Sequence, residues 1–198
     1  MSQKNKPIRS MSERPDLPPE EVAARLLVTP SALDDLKLAD AKRVVGYMHP
    51  QLISAGTVFI REGEVSGNDY MMLVLEGDIS VESELPGSDG NLVVNVIGPG
   101  HLLGEMGVLD NSPRSATCTA MTDIAAAVLS RAALRRLLRA EPAVGARLLL
   151  AISKRMADRL RDTTRKLRTF AQMNRALQQE LQVVMNNRTG RSGARPRS

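Results

Sequence analysis

The stretch Gly104-Glu-Met-Gly-Val-Leu-Asp-Asn-Ser-Pro-Arg-Ser-Ala-Thr117 sets a carboxylate, Glu105, and a guanidinium, Arg114, nine positions apart, with apolar residues and a short turn between them. Gly104 lets the backbone approach a ligand closely. Glu-Met-Gly-Val-Leu is long enough for one helical turn, whose first N–H groups lack intrahelical partners and attract anions. Arg114 adds a planar fork suited to phosphate oxygens. A phosphate would repel Glu105, so that carboxylate should face a hydrogen-bond donor such as a sugar hydroxyl. Phosphate plus hydroxyl describes a nucleotide, and the compact spacing favours a small one with a single charge. The blander alternative is a structural ion pair between Glu105 and Arg114 in a domain that takes no ligand.

Elements of two kinds must position this stretch. Residues 1–20 are polar with four prolines and read as a disordered leader. Helical patterning starts at Pro19 and resumes after Pro30, with Ser31 as the expected cap of a helix reaching about Tyr47. From Gln51 to Ser130, short apolar runs (TVFI, YMMLVL, ISV, LVVNVI, IAAAVL) alternate with turn residues at the spacing of a small β-barrel or sandwich. PGSDG, residues 86–90, reads as a hairpin tip. A domain is therefore expected over residues 21–140. After it, Pro142 suits the first turn of a helix predicted over 141–187, followed by a basic disordered tail over 188–198. Thr163, Leu167, Phe170, Asn174, Leu177, Leu181 and Val184 recur at alternating spacings of four and three, which is a heptad seam. Either the helix lies on its own β domain or two copies pair. A parallel homodimer covers more of the seam, with Asn174 as a register-fixing polar contact.

Composition removes several function classes. With 2% aromatic residues and no tryptophan among 198, base-stacking platforms are not expected. The single cysteine, Cys118, rules out an internal disulfide framework or a four-cysteine metal site. His49 and His101 lack a second ligand at metal spacing, and no nucleophile–base pair is visible, so neither a metal, a cofactor nor an enzyme is expected. GPGHLLG imitates a dinucleotide fingerprint, but its third glycine is one position late. No apolar leader or membrane-length run is present, which points to a cytoplasmic protein. The net charge of +5 is uneven: residues 154–198 hold 12 Lys and Arg against 3 Asp and Glu.

GEMGVLDNSPRSAT resembles the phosphate-binding cassette of cyclic nucleotide-binding domains, in which Gly-Glu is followed about nine residues after the Glu by Arg-(Ala/Ser/Thr)-Ala. AGTVFIREGE, YMMLVLEGDISV and GPGHLLGE follow the family's strand and glycine pattern, and MADRLRDTTRKL (156–167) is similar to the dimerisation helix of the catabolite activator protein and its relatives. The resemblance spans about residues 31–170. It implies an α+β fold, a jelly-roll-like β-roll with N-terminal helices and a long C-terminal dimerisation helix. It also implies that Arg114 pairs with the cyclic phosphate and Glu105 accepts from the ribose 2′-hydroxyl. The backbone at Gly104, Glu105 and Met106 would cradle the ligand, with Ser115 on the phosphate or base and Ala116 completing the motif. Thr163 and Thr164 fall where that family reaches the base from the helix. Local alternatives stay open: Ser115 could serve only its own backbone, and Thr163 could be a seam residue.

The activator family's hinge and helix-turn-helix have no counterpart of comparable size here, so sequence-specific DNA binding is not expected. The first expectation is a stand-alone receptor for cAMP or cGMP, cAMP preferred, that homodimerises through its long helix and signals to an effector protein of unknown identity. The alternatives are a nucleic-acid-associated dimer acting through its basic end, a cyclic dinucleotide sensor, or a purely structural coiled coil.

Overall fold

The computed structural model describes residues 17–65, 67, 69–84, 91–110 and 112–191. Most of the expected leader, the 86–90 hairpin tip and residues 192–198 lie outside that set.

Helix α1 (Pro19–Leu27) starts on a proline, carries Glu20 and Glu21 in its first turn and Arg25 in its last, and buries Val22, Ala23, Leu26 and Leu27. This charge order complements the helix dipole. The expected helix from Ser31 does not form. Residues 31–37 make successive turns instead, and Ser31 shares a hydrogen bond with the Thr29 hydroxyl at 3.1 Å. Leu33 donates its N–H back to Leu27 O at 2.9 Å and both leucines are buried, so burying this short segment against α1 outweighs its helical pattern. Helix α2 then covers Leu38–Val45.

Among the described residues eight strands follow: β1 (His49–Ile53), β2 (Val58–Ile60), β3 (Tyr70–Glu76), β4 (Ile79–Glu84), β5 (Asn91–Ile97), β6 (Leu102–Leu103), β7 (Thr117–Ala120) and β8 (Ile124–Ser130), with helix α3 (Glu105–Asp110) between β6 and β7. They form two four-stranded antiparallel sheets, in the orders β1-β8-β3-β6 and β2-β7-β4-β5. Alternate residues of β8, Ile124, Ala126 and Val128, meet Met72, Val74, Ile79, Ile97, Leu103 and Cys118 in one aliphatic core. That is the period-2 logic of a roll closed on itself. β3 is buried along its length because α1 covers its outer face.

Helix α4 (Arg131–Ala140) begins directly after β8, capped by the Ser130 hydroxyl, which accepts from the Ala133 N–H at 3.2 Å. Helix α5 runs from Pro142 to Arg191, four residues past the expected end, so residues 188–191 of the predicted tail are helical. The chain divides into two compact units, residues 1–153 and 154–198. The α5 residues of the first unit bury Val144, Leu148 and Ile152, and Arg147 grips the Asp40 carboxylate of α2 through two bonds of 2.7 Å. The second unit is the remainder of α5. Along it Leu160, Leu167, Phe170, Leu177 and Leu181 are all more than half exposed, between 54% and 69%.

Candidate functional site

β6 pairs with β3 and ends at Gly104, where the chain turns into α3. Gly104 has φ of 71°, the left-handed region that side chains avoid. A Cβ there would lie 2.9 Å from the Tyr70 carbonyl and would run into the Arg114 guanidinium. Glycine is therefore demanded twice, by conformation and by space. Glu105 follows as the first residue of α3 and is 2% exposed. Gly107 and Val108 of this short helix are buried as well, while Met106 is 41% exposed.

The link back to β7 is a built turn. The Asp110 carboxylate accepts the Ser112 N–H at 3.0 Å and its hydroxyl at 2.7 Å, and these bonds hold the Asp110 carboxyl below its usual range. Arg114 then enters an antiparallel exchange with the loop after β2. Its N–H donates to Glu64 O at 3.0 Å, and its carbonyl accepts from Gly63 at 2.8 Å. The backbone is thus fixed before the side chain is placed.

The Arg114 side chain is buried, with the residue only 7% exposed. Its partners are neutral. Nη1 and Nη2 donate to the Tyr70 carbonyl at 3.3 and 3.4 Å, and the guanidinium carbon lies 4.4 Å from the centre of the Tyr70 ring. Among the described residues no carboxylate pairs with it, so the structural ion pair with Glu105 is not formed. A buried carboxylate and a buried guanidinium stand on either side of one glycine turn.

Residues 50–141 match the family model described as a cyclic nucleotide-binding domain. This stretch is a cyclic nucleotide-binding domain. The chain is 26% identical over 109 residues to a CRP-like cAMP-activated global transcriptional regulator of Mycobacterium tuberculosis, a match covering 55% of this chain and 47% of the relative. It is 34% identical over 95 residues to a cAMP-dependent protein kinase regulatory subunit of Eremothecium gossypii, covering 48% of this chain and 19% of that one. The chain thus spans less than half the length of either curated relative. Among solved structures, a cyclic nucleotide-binding domain from Methylobacillus flagellatus superposes with a TM-score of 0.63 at 28% identity, covering 72% of this chain and 79% of that one.

Within the cyclic nucleotide-binding domain, Gly104, Glu105, Met106 and Arg114 lie around the β6–α3 turn. Ser115 is exposed and Ala116 half-buried, directly after the arginine. Thr163 and Thr164 belong to the second unit. There both are exposed, and each hydroxyl donates to its own helix, to Arg159 O and Leu160 O, at 2.9 Å. This back-bonding uses the proton and leaves the oxygen able to accept. His101 places Nδ1 2.9 Å from Gly98 O, within its own turn.

Two residues at the site escape a reading of the motif alone. Tyr70 is the first residue of β3, inside a run that looks like plain core strand. Arg131 opens α4. Its Nε donates to Val108 O at 3.0 Å and Nη2 to Gly107 O, while its N–H donates to Asp69 O at 2.7 Å. A cation on the last carbonyls of α3 satisfies groups the short helix leaves open and complements its dipole. Both residues reach the cassette only through sheet pairing, which sequence spacing does not display.

Proposed function

We propose that this chain is a receptor for a cyclic mononucleotide, cAMP in preference to cGMP, that signals to another protein rather than catalysing a reaction. The observation that carries the reading is Arg114: a buried guanidinium with neutral partners, beside the buried Glu105, at the start of a helix. Leaving such a charge uncompensated is costly, and a bound anion supplies the compensation. One phosphate takes the guanidinium edge and N–H groups of the α3 turn. Glu105 accepts from the ribose 2′-hydroxyl. Ser115 and Ala116 line the phosphate side as the chain leaves the arginine. The preference for cAMP rests on the hydroxyl pair Thr163 and Thr164, and the curated relatives described as cAMP-activated and cAMP-dependent support it.

The output runs through helices. Arg131 ties the last carbonyls of α3 to the first residue of α4, so a ligand that draws α3 inwards strains or relieves that tie. Only such a difference in affinity between two arrangements lets a ligand act at a distance. The exposed apolar seam of α5, from Leu160 to Leu181, fits a second copy of the same helix and gives a parallel dimer. The effector would read that dimer, in the cytoplasm.

Binding is tested by thermal unfolding with cAMP and with cGMP. Ligand at ~100 times its dissociation constant adds about 2.7 kcal/mol to the native state. A clear rise in Tm with cAMP, larger than with cGMP, is the expected result. A rise with a cyclic dinucleotide and with neither mononucleotide would overturn the reading.

A further inference from the structure

We propose that Tyr70 is the positioning residue of the phosphate arginine, a role that rests on the receptor reading above. Its carbonyl takes two of the five guanidinium N–H groups, at 3.3 and 3.4 Å, while its ring lies 4.4 Å from the guanidinium carbon. One residue therefore fixes both the in-plane orientation and the tilt of the charged group. Tyr70 is itself held rigidly. Its backbone sits opposite Ser130 in the β3–β8 ladder, and its ring packs against the roll's aliphatic core. Gly104 keeps the remaining side open, since a Cβ there would collide with the guanidinium.

The choice of a ring over a carboxylate has a chemical consequence. A carboxylate would hold Arg114 more strongly but would neutralise it, and a phosphate would then have to displace it. The π face attracts the cation without cancelling its charge. The guanidinium stays oriented, fully charged and ready to give its free N–H groups to a bidentate anion. Ordering the long side chain before binding removes part of the cost that binding otherwise carries.

The experiment uses the full chain with Tyr70→Phe, Tyr70→Leu and fluorinated phenylalanines at position 70, checked for native circular dichroism. Calorimetric titration with cAMP and cGMP is expected to give Tyr70→Phe within about twofold of wild type and Tyr70→Leu about tenfold weaker. Added fluorines, which drain the ring face at nearly constant shape, should weaken binding stepwise. A second readout needs no nucleotide. The Arg114 Nε–H resonance of unliganded protein should be shifted upfield by the ring in wild type and Tyr70→Phe, and should lose that shift in Tyr70→Leu. Wild-type affinity in Tyr70→Leu, equal losses in the Phe and Leu variants, or an unshifted resonance in wild type would each overturn the role. A shifted resonance in a protein that takes neither nucleotide would instead overturn the receptor reading while leaving the stack in place.

Discussion

Among the described residues the buried Arg114 guanidinium has only neutral partners, an exposed choice for a protein interior, and the site's other residues make sense as consequences of it. Arg114 needs its backbone anchored, which Gly63 and Glu64 provide, and it needs room, which Gly104 provides. Gly104→Ala meets both objections at once, a positive φ and a collision with Arg114. It should cost on the order of 1–3 kcal/mol in urea unfolding and weaken nucleotide binding as the arginine is pushed aside. An unchanged midpoint and affinity would mean the turn can relax. At this scale the sequence was highly legible where chemistry is local. Glu105, Arg114 and Gly104 announce themselves by type and spacing. Tyr70 and Arg131 do not, because a strand residue and a helix-start residue become site residues only when β3 meets β6 and when β8 delivers α4.

The elements around the roll are held by fewer, identifiable contacts. Asp40 of α2 is gripped by Arg147 of α5, whose hydrogen bonds and charge, against the opposing effect of burial, keep the Asp40 carboxyl below its ordinary value. A carboxyl whose folded value is depressed contributes stability that is present above its unfolded value of about 3.9 and is lost as pH falls through the lower folded value. Asp40→Asn should therefore lower the urea midpoint at pH 6, and the gap to wild type should close as pH falls below about 4. A gap independent of pH would contradict the pairing. Where α4 and α5 cross, a Cβ on Gly145 would fall 2.6 Å from Leu138 Cδ2 and 3.2 Å from its Cα. The leucine tip can turn away but the backbone cannot, so Gly145→Ala should cost about 1–2 kcal/mol by calorimetric unfolding. Element types were readable from period and punctuation. Residues 31–37 were not, because Leu33 and Leu36 carry the same apolar spacing whether they face out from a helix or tuck into turns against α1.

For the whole molecule, the exposed seam of α5 is the feature a single chain leaves unexplained. Leu160, Leu167, Phe170, Leu177 and Leu181 follow the heptad, with Asn174 at a position where a polar residue fixes register and favours two strands. Phe170→Asp should shift the protein from dimer to monomer in sedimentation velocity, and Asn174→Leu should keep association while loosening its stoichiometry. A monomeric wild type would refute the dimer without touching the nucleotide site. The central claim is that the buried, neutrally partnered Arg114 receives the cyclic phosphate. Titration calorimetry of wild type and Arg114→Ala with cAMP and cGMP tests it most directly. The account predicts micromolar or tighter binding to wild type, tighter for cAMP, and a loss of about two to four decades in a folded mutant, from the roughly 3–5 kcal/mol that removing one partner of a buried charge pair costs. Equal affinity in Arg114→Ala and wild type would contradict it.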